Sequence, residues 1–220
     1  MTWTLPNQLT IARLILGAGF FVLLGLYRPS YASGRWLLNC AFVLYIVMGI
    51  TDILDGWLAR RWKITSAFGR IVDPFVDKVL VIGAFAMLTG ANYVFCDHLP
   101  PSQLERTLPG WITGGMASCI RPWMVVVIMS REFIVSAVRG YSESLGRKFP
   151  ATPAGKIKMF VQSFAICAVL YQLANLQNVQ WAVVVKIIAV WAAVIVTVIS
   201  GFAYLGKTRK LLSANENEPD

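Results

Sequence analysis

Asp52-Ile53-Leu54-Asp55-Gly56-Trp57-Leu58-Ala59-Arg60 and, after a short polar break, Gly69-Arg70-Ile71-Val72-Asp73-Pro74-Phe75-Val76-Asp77 decide how this sequence is read. Four of its 11 acidic residues stand here, at Asp52, Asp55, Asp73 and Asp77, each flanked by apolar sequence. A carboxylate at membrane depth is costly unless it is paired or faces an aqueous cavity, and four together repel one another. Something positive must gather them. Asp52 and Asp55 are three apart and share a helix face that Gly56 and Ala59 continue. Asp73 and Asp77 are four apart on the next helix, with Gly69 one turn earlier. The break between the helices is short, so they are expected to pack as antiparallel neighbours with all four carboxylates converging.

The surrounding sequence sets these acids in a membrane. The chain has 220 residues, 57% hydrophobic and only 14% charged, with a net charge of +9 and a mean hydropathy of +0.62. Soluble domains carry about a quarter of their residues charged, so a soluble globule is excluded, as is disorder. Apolar runs separate the basic residues, which argues against nucleic acid as a partner. A membrane helix needs roughly 20 mostly apolar residues. Runs of that length are expected at about Gln8–Tyr27, Trp36–Leu58, Gly69–Phe95, Arg121–Gly140, Ala154–Leu176 and Gln180–Leu205. The expected fold is therefore all-α and integral to the membrane, with six transmembrane helices around a cytoplasm-facing polar cavity. Residues 1–210 form one domain and 211–220 a polar tail expected to fray. The segment Met1–Pro6 is expected to lie along the interface, with Asn7 capping the first span. Of the 20 Lys and Arg residues, only Arg28, Arg35, Arg106, Arg121 and Lys186 fall on one side. The other side, which holds the acidic cluster, is thus cytoplasmic by the positive-inside rule.

All-oxygen ligands suit a hard divalent cation, Mg²⁺ or Mn²⁺. Small residues (Gly56, Ala59, Gly69) leave room for a ligand against bare backbone, and Arg60 and Arg70 add positive charge at the rim. Together these describe a pyrophosphate site. Two alternatives stay open on spacing alone: a proton or sodium relay in a transporter, and simple pairing of the acids with Arg60, Arg61 or Lys78.

Asp52, Asp55, Gly56, Ala59, Arg60, Gly69, Asp73 and Asp77, at these offsets, resemble the signature of the CDP-alcohol phosphotransferases. The resemblance implies a six-helix, homodimeric membrane enzyme that transfers a phosphoalcohol from a CDP-alcohol to a hydroxyl and releases CMP. It further implies that Asp52, Asp55 and Asp73 hold a pair of divalent ions, with Asp77 completing the second site and serving as general base. Gly56 and Ala59 would admit the cytidine or its ribose, and Arg60 would meet the diphosphate. Ser66, Gly69 and Asn7 would border the nucleotide.

A second constellation is Ser130-Arg131-Glu132 with Arg139, followed by Gly155-Lys156-Ile157-Lys158 with Gln162. Arg131 and Arg139, two turns apart, are expected to share a face, and with Lys156 to bind a second phosphate on the acceptor. Positive-inside charge is the competing account. These blocks resemble the branch of the family that makes phosphatidylglycerophosphate, with Met159 where a Thr is usual. That implies CDP-diacylglycerol and sn-glycerol 3-phosphate as substrates, in a cell membrane with the site facing the cytoplasm. Phosphatidylglycerol, serine or an inositol phosphate are the other acceptors in view.

Cys40 and Cys167 lie in apolar spans as packing residues. Cys96 and Cys119 bracket the 96–121 connection, where a disulfide is one alternative. His98, the one histidine, belongs to no strong metal motif, which leaves the base role to a carboxylate.

Overall fold

Long apolar runs interrupted by short polar breaks become helices, because within a bilayer only a helix satisfies its backbone along a single segment. The computed structural model describes residues 5–30, 33–62, 67–95, 101–144 and 153–215. Its helices are α1 (Leu5–Leu26), α2 (Gly34–Trp62), α3 (Ala67–Met87), α4 (Gln103–Thr107), α5 (Gly110–Thr113), α6 (Pro122–Ser144), α7 (Pro153–Asn175) and α8 (Gln180–Asn215). No strand occurs among the described residues beyond a single bridge, Val94 with Met116. Pro122 and Pro153 open their helices, where the missing N–H costs nothing.

Six helices are long, and they close a ring: α1 packs on α2, α2 on α7, α7 on α8, α8 on α6, α6 on α3 and α3 back on α1, with α3 also touching α7. The fold is therefore all-α and, by its apolar helices, a multi-pass membrane protein. Among the described residues four segments are both long and apolar enough to cross a bilayer: Gln8–Leu26, Gly34–Leu54, Gly155–Asn175 and Gln180–Tyr204. α3 and α6 have the length but carry too much charge, including Asp77 and Lys78 on one and Arg131, Glu132 and Arg139 on the other.

Where α1 meets α3, two glycines set the distance. A Cβ on Gly17 would lie 2.7 Å from Leu80, and one on Gly83 would lie 2.6 Å from the Phe21 ring. Small residues at such crossings let helix backbones approach where no hydrophobic effect drives them together. The approach places Arg13 of α1 against α3, which matters for the site below.

Three boundaries differ from expectation. Asn7 lies inside α1, which has begun by Leu5, so it is not the helix cap. α3 ends at Met87 rather than continuing to Phe95, because the chain turns back through Gly90 into a 3-10 turn at Ala91–Tyr93. Tyr93 then stacks on Tyr27 and donates to the Leu24 carbonyl, which holds the turn against α1. α8 runs on to Asn215, past the expected 210/211 boundary; its 36 residues make about 54 Å of helix, longer than a bilayer core of about 30 Å.

Of the 96–121 connection, described residues 101–121 form a folded plug at the end of the ring away from the carboxylates. Ser102 and Glu105 form a capping box on α4, satisfying two orphan donors at once. Glu105 also accepts from Lys186 of α8 at 2.7 Å, and Lys186 donates to the Ala117 carbonyl at 2.9 Å. Lys186 is 1% exposed, so it is an internal tie rather than a surface charge. Among the described residues Cys119 carries a free thiol. Burial, opposed by Lys186, pushes that thiol up to about 11, which keeps it protonated and unreactive at neutral pH. Cys96 and His98 lie outside the described residues.

Candidate active site

At the other end, α1, α2, α3 and α7 enclose a cavity of about 180 Å³ whose lining includes Arg13, Asp52 and Asp77. Arg13 is the only charged residue in α1 and is 1% exposed. Its Nη1 lies 2.6 Å from Asp52 Oδ1 and 3.0 Å from Asp77 Oδ1. One guanidinium nitrogen thus joins carboxylates of two helices. α2 and α3 do not pack as the expected antiparallel neighbours among the described residues, but each packs on α1 and α7, so Asp52 and Asp77 meet through Arg13 of α1. Both carboxylates remain partly exposed, at 38% and 26%, so they line the cavity rather than vanish into the core. Of Asp55, Ala59, Arg60, Gly69, Asp73 and Asn7 the structure describes the helix but not the side chain; Gly56 is half-buried on α2; Ser66 lies outside the described residues. Among the described residues no three metal-binding side chains cluster. The donor set nevertheless fits a divalent ion: carboxylate oxygens from two helices, both in reach of one cation and both lining a cavity.

Beside it lies a buried network that joins α3, α6, α7 and α8. Glu132 accepts from Arg131 at 3.2 Å and, more closely, from Lys158. Arg131 also donates through Nε to Ser200 at 3.1 Å, and its guanidinium sits 5.3 Å from the Tyr204 ring. Its Nη2 is buried and has no hydrogen-bond partner among the described residues. Lys78, next to Asp77 in sequence, donates to Ser136, which donates in turn to the Glu132 carbonyl. Gln162 donates to Thr197 at 2.8 Å. The two clusters therefore meet through the consecutive residues Asp77 and Lys78.

The predicted acceptor residues are not brought together as expected. Arg131 is 9% exposed, whereas Arg139 and Lys156 are exposed. The reason is angular: eight residues advance a helix about 80° beyond two turns. Lys156 and Lys158 are about 200° apart by the same count, so Lys158 turns inward and Lys156 outward. Arg13 is a partner of the acids that the sequence reading does not name, whereas Lys78 stands there as one alternative partner of the acids and Lys158 as part of the 155–162 block. The structure pairs Lys78 with Ser136 and Lys158 with Glu132. For Arg13 a signal existed, since it is the single charge in an apolar helix and so demands a partner.

A helical membrane protein with paired carboxylates at a cavity mouth is the class that this fold and site define. The chain matches the CDP-alcohol phosphatidyltransferase family over residues 3–199, and it belongs to that family. It is 30% identical over 222 residues to a CDP-diacylglycerol--glycerol-3-phosphate 3-phosphatidyltransferase of Bacillus subtilis (strain 168), covering 97% of this chain and 99% of that protein. It is 31% identical to the protein of that name from Haemophilus influenzae, covering 93% of each. The one from Sodalis glossinidius is 29% identical, covering 95% of this chain and 97% of that protein.

Proposed function

We propose that this chain transfers the phosphatidyl group of CDP-diacylglycerol to sn-glycerol 3-phosphate, giving phosphatidylglycerophosphate and CMP. The observation that carries the reading is the meeting of Asp52 and Asp77 at Arg13, in the lining of a cavity whose other walls are mostly apolar. Near full-length similarity to relatives bearing that activity in their names supports the choice of substrates. All six long helices cross the membrane in this reading, because α3 and α6 occupy the same ring as the four apolar spans. Arg131 and Glu132 of α6 face inward, where Glu132 pairs with Arg131 and with Lys158 of α7, and Lys78 of α3 donates to Ser136. The site faces the cytoplasm, on the side of the basic excess, and residues 1–210 act as one domain, paired in a homodimer.

Asp52, Asp55, Asp73 and Asp77 would hold two divalent ions, Mg²⁺ or Mn²⁺. Bound there, such ions neutralise the diphosphate and stabilise the charge that develops as the bond to CMP breaks. Gly56, Ala59 and Gly69 leave the helix walls bare for the nucleotide, with Arg60 at the diphosphate and Ser66 and Asn7 at its border. Asp77 takes the proton of the attacking acceptor hydroxyl, and Arg13 fixes the orientation of that carboxylate. For the acceptor's phosphate, Arg131 offers a buried guanidinium with an unused donor. Exposed Arg139 and Lys156 would draw the anion in; a neutral acceptor would leave these cations without a task.

The purified protein, given CDP-diacylglycerol, Mg²⁺ or Mn²⁺ and glycerol 3-phosphate, is expected to release CMP. Chelation should cut the rate at least about 100-fold, and adding the ion back should restore it. Metal-independent release, or none with any acceptor, would overturn the reading. Arg139→Ala is expected to raise the glycerol 3-phosphate KM about tenfold with kcat little changed, the mark of lost ground-state binding. An unchanged KM removes Arg139 from the acceptor path.

A further inference from the structure

Below the carboxylates the cavity wall is apolar, formed by residues such as Met48, Leu80, Val81 and Met159, except at one place. There Tyr45 of α2 donates its hydroxyl proton to Ser163 Oγ of α7 at 3.3 Å. This is longer than the usual O–H···O hydrogen bond. Ser163 accepts that proton, and no acceptor for its own hydroxyl proton occurs among the described residues. A serine within a helix ordinarily donates back to the preceding turn, as Ser136 and Thr197 do here. Ser163 does not. Both residues lie inside apolar spanning segments, where an unmet donor is costly. Tyr45 is 8% exposed and lines the cavity.

We infer that Tyr45 and Ser163 bind the ester carbonyls of the donor's diacylglycerol, and so select an ester-linked lipid. The inference rests on the phosphatidyl-transfer reading above. Tyr45 precedes Asp52 by seven residues, about 10 Å along α2. A glycerol backbone hanging from a phosphate at Asp52 and Asp77 spans that gap before its acyl chains begin. An ester carbonyl offers an acceptor at that level; an ether oxygen is a poorer acceptor and lacks the carbonyl's reach. With the carbonyl bound, Ser163 donates to it and Tyr45 retains its contact with Ser163 or joins the same oxygen. The apolar walls on either side then receive the chains.

The experiment compares CMP release from CDP-diacylglycerol and from its di-O-alkyl analogue of the same chain length, in wild type, Ser163→Ala and Tyr45→Phe. One hydrogen bond lost at a buried site gives about a tenfold preference for the ester in kcat/KM of the wild type. In both variants that ratio should fall toward one, because the ester rate drops. General loosening of the α2–α7 contact would slow both substrates alike and leave the ratio intact, so a variant keeping the wild-type ratio overturns the inference. A wild-type ratio near one does the same. Wild type that releases CMP only with an acceptor other than glycerol 3-phosphate would instead defeat the acceptor assignment, and the ester ratio would be read with that acceptor.

Discussion

Asp77→Asn is expected to lower CMP release about 1,000-fold with little loss of stability, within the range by which a positioned general base accelerates proton transfer. The change keeps the shape of the side chain and its contact with Arg13, which lies 3.0 Å away, but removes the basic oxygen. Asn offers Arg13 a weaker, neutral acceptor, while Asp52 at 2.6 Å continues to hold the guanidinium. Thermal unfolding in detergent should therefore shift little, and activity should not recover at high acceptor concentration. Substantial remaining turnover would show that Asp77 does not act as base. Equal loss for Asp52→Asn would be no contradiction, because that residue is proposed to belong to the ion-binding set.

Glu132→Gln is expected to have the largest effect on stability. Glu132 is the single carboxylate between Arg131 and Lys158 among the described residues, and all three are at least nine-tenths buried. Removing its charge leaves two buried cations facing each other, a change that costs about 3–5 kcal/mol in comparable buried pairs. For a chain of this size that corresponds to a fall of about 10 °C in melting temperature. Lys158→Met in the same chain should return much of the loss, because Arg131 keeps Ser200 and the Tyr204 ring. Such non-additivity is the sign of direct contact. A melting temperature within about 2 °C of wild type for Glu132→Gln would show that the network contributes little to stability.

The two sites differ in how much of them the chain disclosed. Asp52 and Asp77 were readable because acids are so rare in apolar sequence that each demands a cause. Their helix offsets already implied convergence. The acceptor residues were harder, because helical position along a sequence tells angle only roughly, and two turns plus a fraction carried Arg139 away from Arg131. Lys158 stood out as part of the 155–162 block, but its partner, Glu132, follows only from α7 lying within reach of α6. Arg13 needed the α1–α3 approach set by Gly17 and Gly83, which no local pattern announces.

By itself the sequence determined the class of solvent, the helical fold, the chemistry of the acidic motif and the side of the membrane it is expected to face. Each follows from short-range properties: the length of apolar runs, residue offsets on a helix and the distribution of Lys and Arg. Only the tertiary structure decided which charges are partners. Arg13 sits 64 residues from Asp77, Lys158 26 from Glu132 and Lys186 81 from Glu105. Burial makes such pairing compulsory, since a lone charge in this interior would be prohibitively costly. The partner chosen depends on which helices share a wall of the ring.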